Sequence, residues 1–233
     1  MIPVVGIPIL NRGDLLLRCL NSLAGAVNLM VVVDNSLSRD LSVRHALADL
    51  KSRFPAQLKV LKPKRNLGVA GSWNLLLDWV AARWRGAEWR ALISNNDIEF
   101  NPRAIAAIEK AMSSTHPPEL LIGDHGFAWF MLTRACVVKV GRFDERFYPA
   151  YFEDNDYHRR ATLAGVRQAR ITKPRTQHGD ATRGGSLTIH SDARLLRYHA
   201  KTFPRNGEYY VQKWGGYPGE EKFARPFGDP LKR

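Results

Sequence analysis

The sequence predicts an α/β fold, a mostly parallel sheet with helices on both faces. Three observations carry it. Short apolar runs rich in Val and Ile alternate with longer segments whose apolar residues recur at helical spacing. The runs are apolar throughout, as strands covered on both faces must be. Polar clusters follow the first four runs, where an open parallel sheet binds ligands beyond its carboxyl ends.

The elements are read in order. Ile2 to Ile9 is a buried strand ended by Pro8 and Asn11. Asp14 to Leu23 has helical spacing and stops at Gly25. Leu29 to Val33 is a second strand, closed by Asp34-Asn35-Ser36. A helix near Leu41 to Phe54 leads to a strand at Leu58 to Leu61. Asn66-Leu67-Gly68 opens a long apolar helix, Val69 to Trp84. Trp89 to Ile93 is the fourth strand and ends in Ser94-Asn95-Asn96-Asp97. Asn101-Pro102 starts a helix, with Asn as cap and Pro suited to the first turn. Leu120 to Gly123 and Phe127 to Leu132 are strands, and Val137 to Val140 is a short helix. Glu153-Asp154-Asn155-Asp156 opens a helix to Ala164, with Gly165 as its stop. Val166 to Ile171 is a strand. Beyond His178 periodicity fades, and Gly184-Gly185 and Gly215-Gly216 mark loops, so a loop-rich ending is expected.

Composition narrows the class. At 233 residues the chain suits one domain with an appendage, long enough to bury a core without staples. Cys19 and Cys136 are too few for a disulfide framework or a four-Cys zinc site, and their apolar neighbours make them small buried side chains. No apolar run reaches the ~18 residues of a membrane helix. Met1 to Leu10 reads as a strand and not a leader, so a cytoplasmic protein is expected. The 35 Lys and Arg exceed the 22 Asp and Glu by 13. Residues 1–154 hold 19 basic and 15 acidic side chains, and residues 155–233 hold 16 and 7. The excess therefore lies in the last third, where Arg183, Arg194, Arg197, Lys201 and Arg205 interleave with Tyr198, Phe203, Tyr209, Tyr210, Trp214 and Tyr217. That mixture suits a polyanion, nucleic acid among them, or a solvated basic face.

Several chemistries are excluded by motif. No GxGxxG follows the first strand, no GxxxxGK[ST] occurs, and no G-x-S-x-G elbow is present. Three constellations remain. Asn95-Asn96-Asp97 at a strand end offers an oxygen ligand for a hard divalent cation, or a turn. Glu153, Asp154 and Asp156 offer a general base, or acids favoured at a helix start. His178-Gly179-Asp180 offers a metal or phosphate contact, or a structural His.

Taken together and in this order, the segments from residue 2 to 180 resemble the family 2 glycosyltransferases, nucleotide-sugar enzymes with the GT-A fold. The carrying motifs are Val4 to Arg12, Val31 to Ser36, Asn66 to Asn74, Ile93 to Asp97, Val140 to Phe147, and Tyr151 to Asp156 with Arg159 or Arg160 beyond. The resemblance implies a GT-A domain over 1–180, with a nucleotide-sugar half at about 1–100 and an acceptor half at about 101–180. A basic, aromatic extension would fill 181–233.

The resemblance also implies roles. Asp34 and Asn35 would meet the nucleotide base, with Pro8, Asn11 and Arg12 lining its pocket. Asn66, Gly68, Ser72 and Asn74, with Asn95 and Asn96, would lie near the nucleotide or sugar. Asp97 would bind Mg²⁺ or Mn²⁺ in the place of the DxD motif, with His178 as second ligand. The first DxD position is Asn95, which leaves one carboxylate fewer. Asp154 would be the general base of an inverting transfer to an acceptor hydroxyl, supported by Glu153 or Asp156. Trp129 and Arg159 would touch the acceptor, although core packing is an equal reading for Trp129. The basic ending favours an anionic acceptor such as hydroxymethylated DNA, as in phage, which would put the enzyme in the host cytoplasm. Protein, lipid-carrier and polysaccharide acceptors also occur in this family, and the same cations would suit peripheral contact with a membrane. Competing classes are a non-catalytic nucleic-acid-binding protein and a nucleotidyltransferase.

Overall fold

A computed structural model describes residues 1–179 and 186–228. The strands are β1 (Val5–Ile9), β2 (Met30–Asp34), β3 (Leu58–Leu61), β4 (Arg90–Ser94), β5 (Ile98–Glu99), β6 (Leu120–Gly123), β7 (Gly126–Thr133), β8 (Gln168–Arg170) and β9 (Gln177–His178). The helices are α1 (Gly13–Leu23), α2 (Leu41–Arg53), α3 (Gly68–Arg83), α4 (Pro102–Met112), α5 (Arg134–Val140), α6 (Glu153–Leu163), α7 (Leu187–His190) and α8 (Ala193–Trp214). Seven strands form one sheet in the order β3-β2-β1-β4-β7-β6-β8. All are parallel except β7, which runs against β4 and β6. The fold is thus mixed α/β with the expected mostly parallel sheet. β5 and β9 pair separately and set Ile98 opposite His178.

The apolar strands are buried on both faces, as their unbroken hydrophobicity requires. One face packs Val5, Ile7 and Ile9 against Leu16 and Leu20 of α1, Val43 of α2 and Ile108 of α4. The other packs Val31, Val33 and Ile93 against Trp73, Leu76 and Val80 of α3. Gly6 makes the second layer possible. A Cβ there would lie 1.7 Å from Leu76 Cδ1, so only glycine lets α3 come this close. The caps follow the sequence. Asn101 Oδ1 accepts the Ala104 N–H at 2.9 Å, and Asp40 Oδ1 accepts the Val43 N–H at 3.0 Å.

The largest departure from expectation is α8. The sequence reads as loop-rich there, yet residues 193–214 form a 22-residue helix. Its inward positions include Thr202, Asn206 and Lys213, so the buried stripe is not an apolar stripe. Pro204 in mid-helix disguises it further. The helix is fixed by a buried polar clamp. Asp156 is fully buried and accepts from Arg160 Nε at 2.9 Å and Trp214 Nε1 at 2.9 Å, with Lys213 Nζ at 2.6 Å. Lys213 also meets Asp144 at 2.7 Å. Phe147, Phe152, Tyr210 and Trp214 pack around it. Asp180, Arg183 and Gly184-Gly185, singled out in the sequence, lie outside the described residues. Among the described residues no helix is long and apolar enough to cross a membrane.

Removing one member of a buried charge cluster strands the others. Asp156→Ala should therefore cost about 3–5 kcal/mol of unfolding free energy. A urea titration reads this as a lower midpoint, and an unshifted midpoint would count against the clamp.

Candidate active site

A crevice of about 230 Å³ opens beyond the carboxyl ends of the central strands. The sheet half contributes Pro8 near the end of β1, Asn35 after β2, Asn66 and Gly68 at the start of α3, and Asn95, Asn96 and Asp97 after β4. Glu153 and Asp154 reach the same cavity from the start of α6. The order of strands makes this convergence a property of topology, because β1 and β4 are neighbours although their first residues lie 85 positions apart.

The walls are tied together by side-chain amides. Asn35 donates to Ser72 Oγ at 2.7 Å and accepts the Leu67 N–H at 3.0 Å. Asn66 Oδ1 accepts the Gly68 N–H at 2.9 Å. Gly68 has φ +68, and a Cβ on it would meet the Pro149 carbonyl at 2.6 Å. The glycine thus lets the loop before α6 close on the start of α3.

Other expected contacts fall elsewhere. Asp34 is buried in its own turn, where Oδ1 accepts the Ser36 N–H at 3.0 Å and the Ser36 hydroxyl. Ser72 is buried between Asn35 and the Gly68 carbonyl. Asn74 is spent on Phe143, donating to its carbonyl at 3.0 Å and accepting its N–H at 2.9 Å. Arg12 caps α1 and pairs with Asp14 at 2.7 Å. None of these four lines the cavity.

The acceptor-side expectations need correction too. Trp129 is wholly buried, packed on Phe100 and donating to Asp124 at 2.8 Å, so neither face of its ring is open for stacking. Arg159 donates to the Phe223 carbonyl at 3.0 Å and lies over Trp214, in the C-terminal packing. Asp156, expected to support the base, is consumed by the clamp.

The acidic pair is set by an unusual backbone. Tyr151 and Phe152 both have positive φ, 76 and 73, which costs bulky residues free energy and turns the chain sharply into α6. The turn is held by Asn206 of α8, which donates to the Ala150 carbonyl at 2.9 Å. Rings support it, with Tyr151 against His199 and Phe203. Burial raises the pKa of Glu153 well above its ordinary 4.5, and the neighbouring Asp154 charge adds to this. Burial also raises Asp154, partly offset by the Asn155 N–H at 2.8 Å. A buried carboxylate of raised pKa is a better proton acceptor. Asp154 also borders a second cavity, lined by Phe127, His158, Gln168 and Arg170.

Asp97 Oδ1 and His178 Nε2 lie 3.4 Å apart, both buried and both without a hydrogen-bond partner. The β5–β9 pairing brings His178 there across 81 residues. Two unpaired ligand atoms at this separation fit a divalent cation, whose octahedral ligands at ~2.1 Å sit about 3 Å apart. Among the described residues no group of three or more His, Cys, Asp or Glu could hold a metal, so the other positions would fall to water and substrate oxygens.

Sequence reasoning missed one wall. Ser186, Thr188 and Ile189 line the crevice, and Asn11 donates to the Thr188 carbonyl at 3.0 Å. The Leu187 N–H reaches Asp97 Oδ2 at 3.4 Å, and the Tyr151 hydroxyl meets Ser186 Oγ at 3.2 Å. Nothing in this short segment marks it in the sequence. Tyr151 and Phe127, also in the wall, carried the weak signal of aromatics beside a polar motif.

The raised Glu153 pKa has a thermodynamic consequence. The folded state holds that proton more tightly than the unfolded chain, so this group's contribution to stability is fully present below 4.5 and is lost as pH rises through the folded value. Glu153→Gln removes the titration. Its Tm should exceed the parent's at pH 8 and fall less between pH 5 and pH 8. Parallel Tm–pH curves would contradict the assignment.

Comparison with known proteins agrees with this geometry. Residues 4–117 match the model of glycosyl transferase family 2. No curated protein matches the sequence. Among solved structures, the chain is similar to a crystal structure of GalNAc-T7 with UDP, GalNAc and Mn2+. The TM-score is 0.55 at 11% identity, over 91% of this chain and 50% of that one. At this identity the likeness establishes the fold, and the chain spans half the length of its neighbour. The matched segment supplies the β1, β2 and β4 walls of the crevice, and the chain as a whole has the GT-A fold.

Proposed function

We propose that the protein is an inverting glycosyltransferase that moves a sugar from a nucleotide-sugar donor to an acceptor hydroxyl. One observation carries the reading: Asp97, with its unpaired oxygen facing His178, and the half-buried carboxylate Asp154 line one cavity, in a chain whose residues 4–117 match the family 2 model. GalNAc-T7 holds UDP and Mn2+ in its own structure, which supports a nucleotide donor and a divalent ion here.

The roles follow from the chemistry of each group. Pro8, Asn35 and Asn66 offer an apolar edge and amides to the nucleotide. Asp97 and His178 would hold Mg²⁺ or Mn²⁺. Bound there, the ion would offset the charge that develops on a leaving diphosphate. Asn95 and Asn96 stand beside Asp97 as neutral polar groups, able to bind hydroxyls without adding repulsion. Asp154 takes the acceptor proton as the hydroxyl attacks the anomeric carbon. Burial and the neighbouring Asp154 charge both raise the Glu153 pKa, which disfavours a second charge beside the base. One base and one displacement invert the anomeric centre. A polyanionic acceptor such as hydroxymethylated DNA is the one that the cation excess of residues 155–233 supports.

Two measurements test the reading. Asp154→Asn should lower transfer at least ~100-fold, as loss of a general base does, while nucleotide affinity stays within about twofold. Wild-type turnover in this variant would remove Asp154 from the mechanism. Asp97→Ala should abolish the gain in nucleotide affinity that Mn²⁺ gives, read by calorimetry with and without EDTA. A metal-dependent gain that survives would place the ion elsewhere.

A further inference from the structure

The cations of the chain's last third do not scatter over α8. Arg194, Arg197, Lys201 and Arg205 are spaced by three, four and four residues, so they share one face of the helix. All four are exposed. Among the described residues Arg194, Arg197 and Lys201 have no acidic partner, and Arg205 donates to the Tyr148 carbonyl. At 1.5 Å rise per residue the row runs for about 16 Å. Glu208 ends it.

The row does not end on α8. Arg205 ties it to Tyr148, whose hydroxyl donates to the Asn66 carbonyl at 3.4 Å. Arg65 and Tyr198 both lie close enough to Tyr148 to act on its phenol electrostatically. Lys62, Lys64 and Arg65 are exposed in the segment between β3 and α3, which leads directly into the crevice wall at Asn66. The fold thus joins two basic segments far apart in sequence into one surface that reaches the lip of the crevice.

We infer that the outer face of α8, continued by the Lys62–Arg65 segment, is a docking surface for the phosphodiester backbone of duplex nucleic acid. Regularly spaced cations match a polymer bearing one charge per ~1.7 Å of axis. A lipid surface fits less well. Interfacial helices set their large apolar residues as one face against the membrane, with the cations flanking it. Here the exposed apolar residues Leu196 and Phe203 lie roughly opposite the cationic row, and the Phe203 ring is packed on Tyr151 and Phe152. The row itself carries one exposed ring, Tyr198, and no aliphatic residue to insert. That the bound polymer is also the acceptor rests on the glycosyltransferase reading; the binding does not.

The experiment uses the whole chain and a fluorescent 20-base-pair DNA duplex, read by anisotropy from 50 to 200 mM NaCl without donor or metal. The parent should bind with steep salt dependence. The triple substitution Arg194→Gln, Arg197→Gln, Lys201→Gln should weaken binding at least ~10-fold and flatten the log–log salt slope by between about two and three. Lys64→Gln with Arg65→Gln should flatten it further. Donor hydrolysis to nucleoside diphosphate in the absence of DNA should be unchanged in the triple variant, and circular dichroism should match the parent. Unchanged DNA affinity in the triple variant would overturn the inference. So would failure of the parent to bind DNA, or binding to vesicles of 30% phosphatidylglycerol in preference to the duplex. DNA binding lost in the variant, with no donor turnover by either protein, would uphold the surface and sink the glycosyltransferase reading instead.

Discussion

The buried carboxylate of Asp156 is the constraint around which the second half of the molecule is arranged. An ionised carboxylate without exposure to water is costly unless its lone pairs are occupied. Here Arg160, Lys213 and Trp214 occupy them. Each partner brings its own element. Arg160 fixes α6, and it also donates to the Val140 carbonyl at the end of α5. Lys213 and Trp214 fix the end of α8. Once α8 is fixed, Asn206 can hold the carbonyl of Ala150, and the strained residues Tyr151 and Phe152 have a support. The position of Glu153 and Asp154 at the crevice therefore depends on a residue that never touches it.

The division of labour follows from burial and solvation. In the wall that follows the first strands, Asn35 and Asn66 are satisfied by Ser72 and by backbone groups. Other buried groups at or beside the crevice keep no partner. Asp97 Oδ1, His178 Nε2 and Glu153 Oε2 are all buried without hydrogen-bond partners. Unpaired buried polar atoms are rare because they are expensive, and they concentrate where strain or binding gives them a purpose. The strained turn at Tyr151 and Phe152 falls at the same end of the cavity.

Much of this was legible in the sequence, and the boundary of legibility is physical. Apolar runs such as Met30 to Val33 declare a sheet buried on both faces, because no other use of such residues is stable in water. Asn66, Asn95 to Asp97 and Glu153-Asp154 were readable as site residues because polar clusters at successive strand ends share a crevice by topology. Asp154 and Asp156 were not separable. Two positions apart on a helix point about 200° away from each other, so one faces the cavity and the other the clamp. Which does which is set by the turn at Phe152, a backbone feature that no residue type announces. Helix α8 escaped because its buried face carries Thr202, Asn206 and Lys213, which pattern reading counts as solvent-facing. Trp129 was ambiguous for a related reason, since an indole serves a core and a sugar equally well until its burial is known.

The hydrogen bond from Asn11 to Thr188 spans 177 residues. A chain leaving the ribosome presents β1, β2 and β4 before residues 186–214, and parallel pairing among them can begin before those residues exist. For that interval the cavity has a floor and no far wall. It becomes a closed binding place only when Ser186 to Ile189 arrive and α8 locks behind them. A product that stops before residue 186 can therefore fold its sheet and still lack a finished crevice, so the later segment acts as a seal on the earlier one.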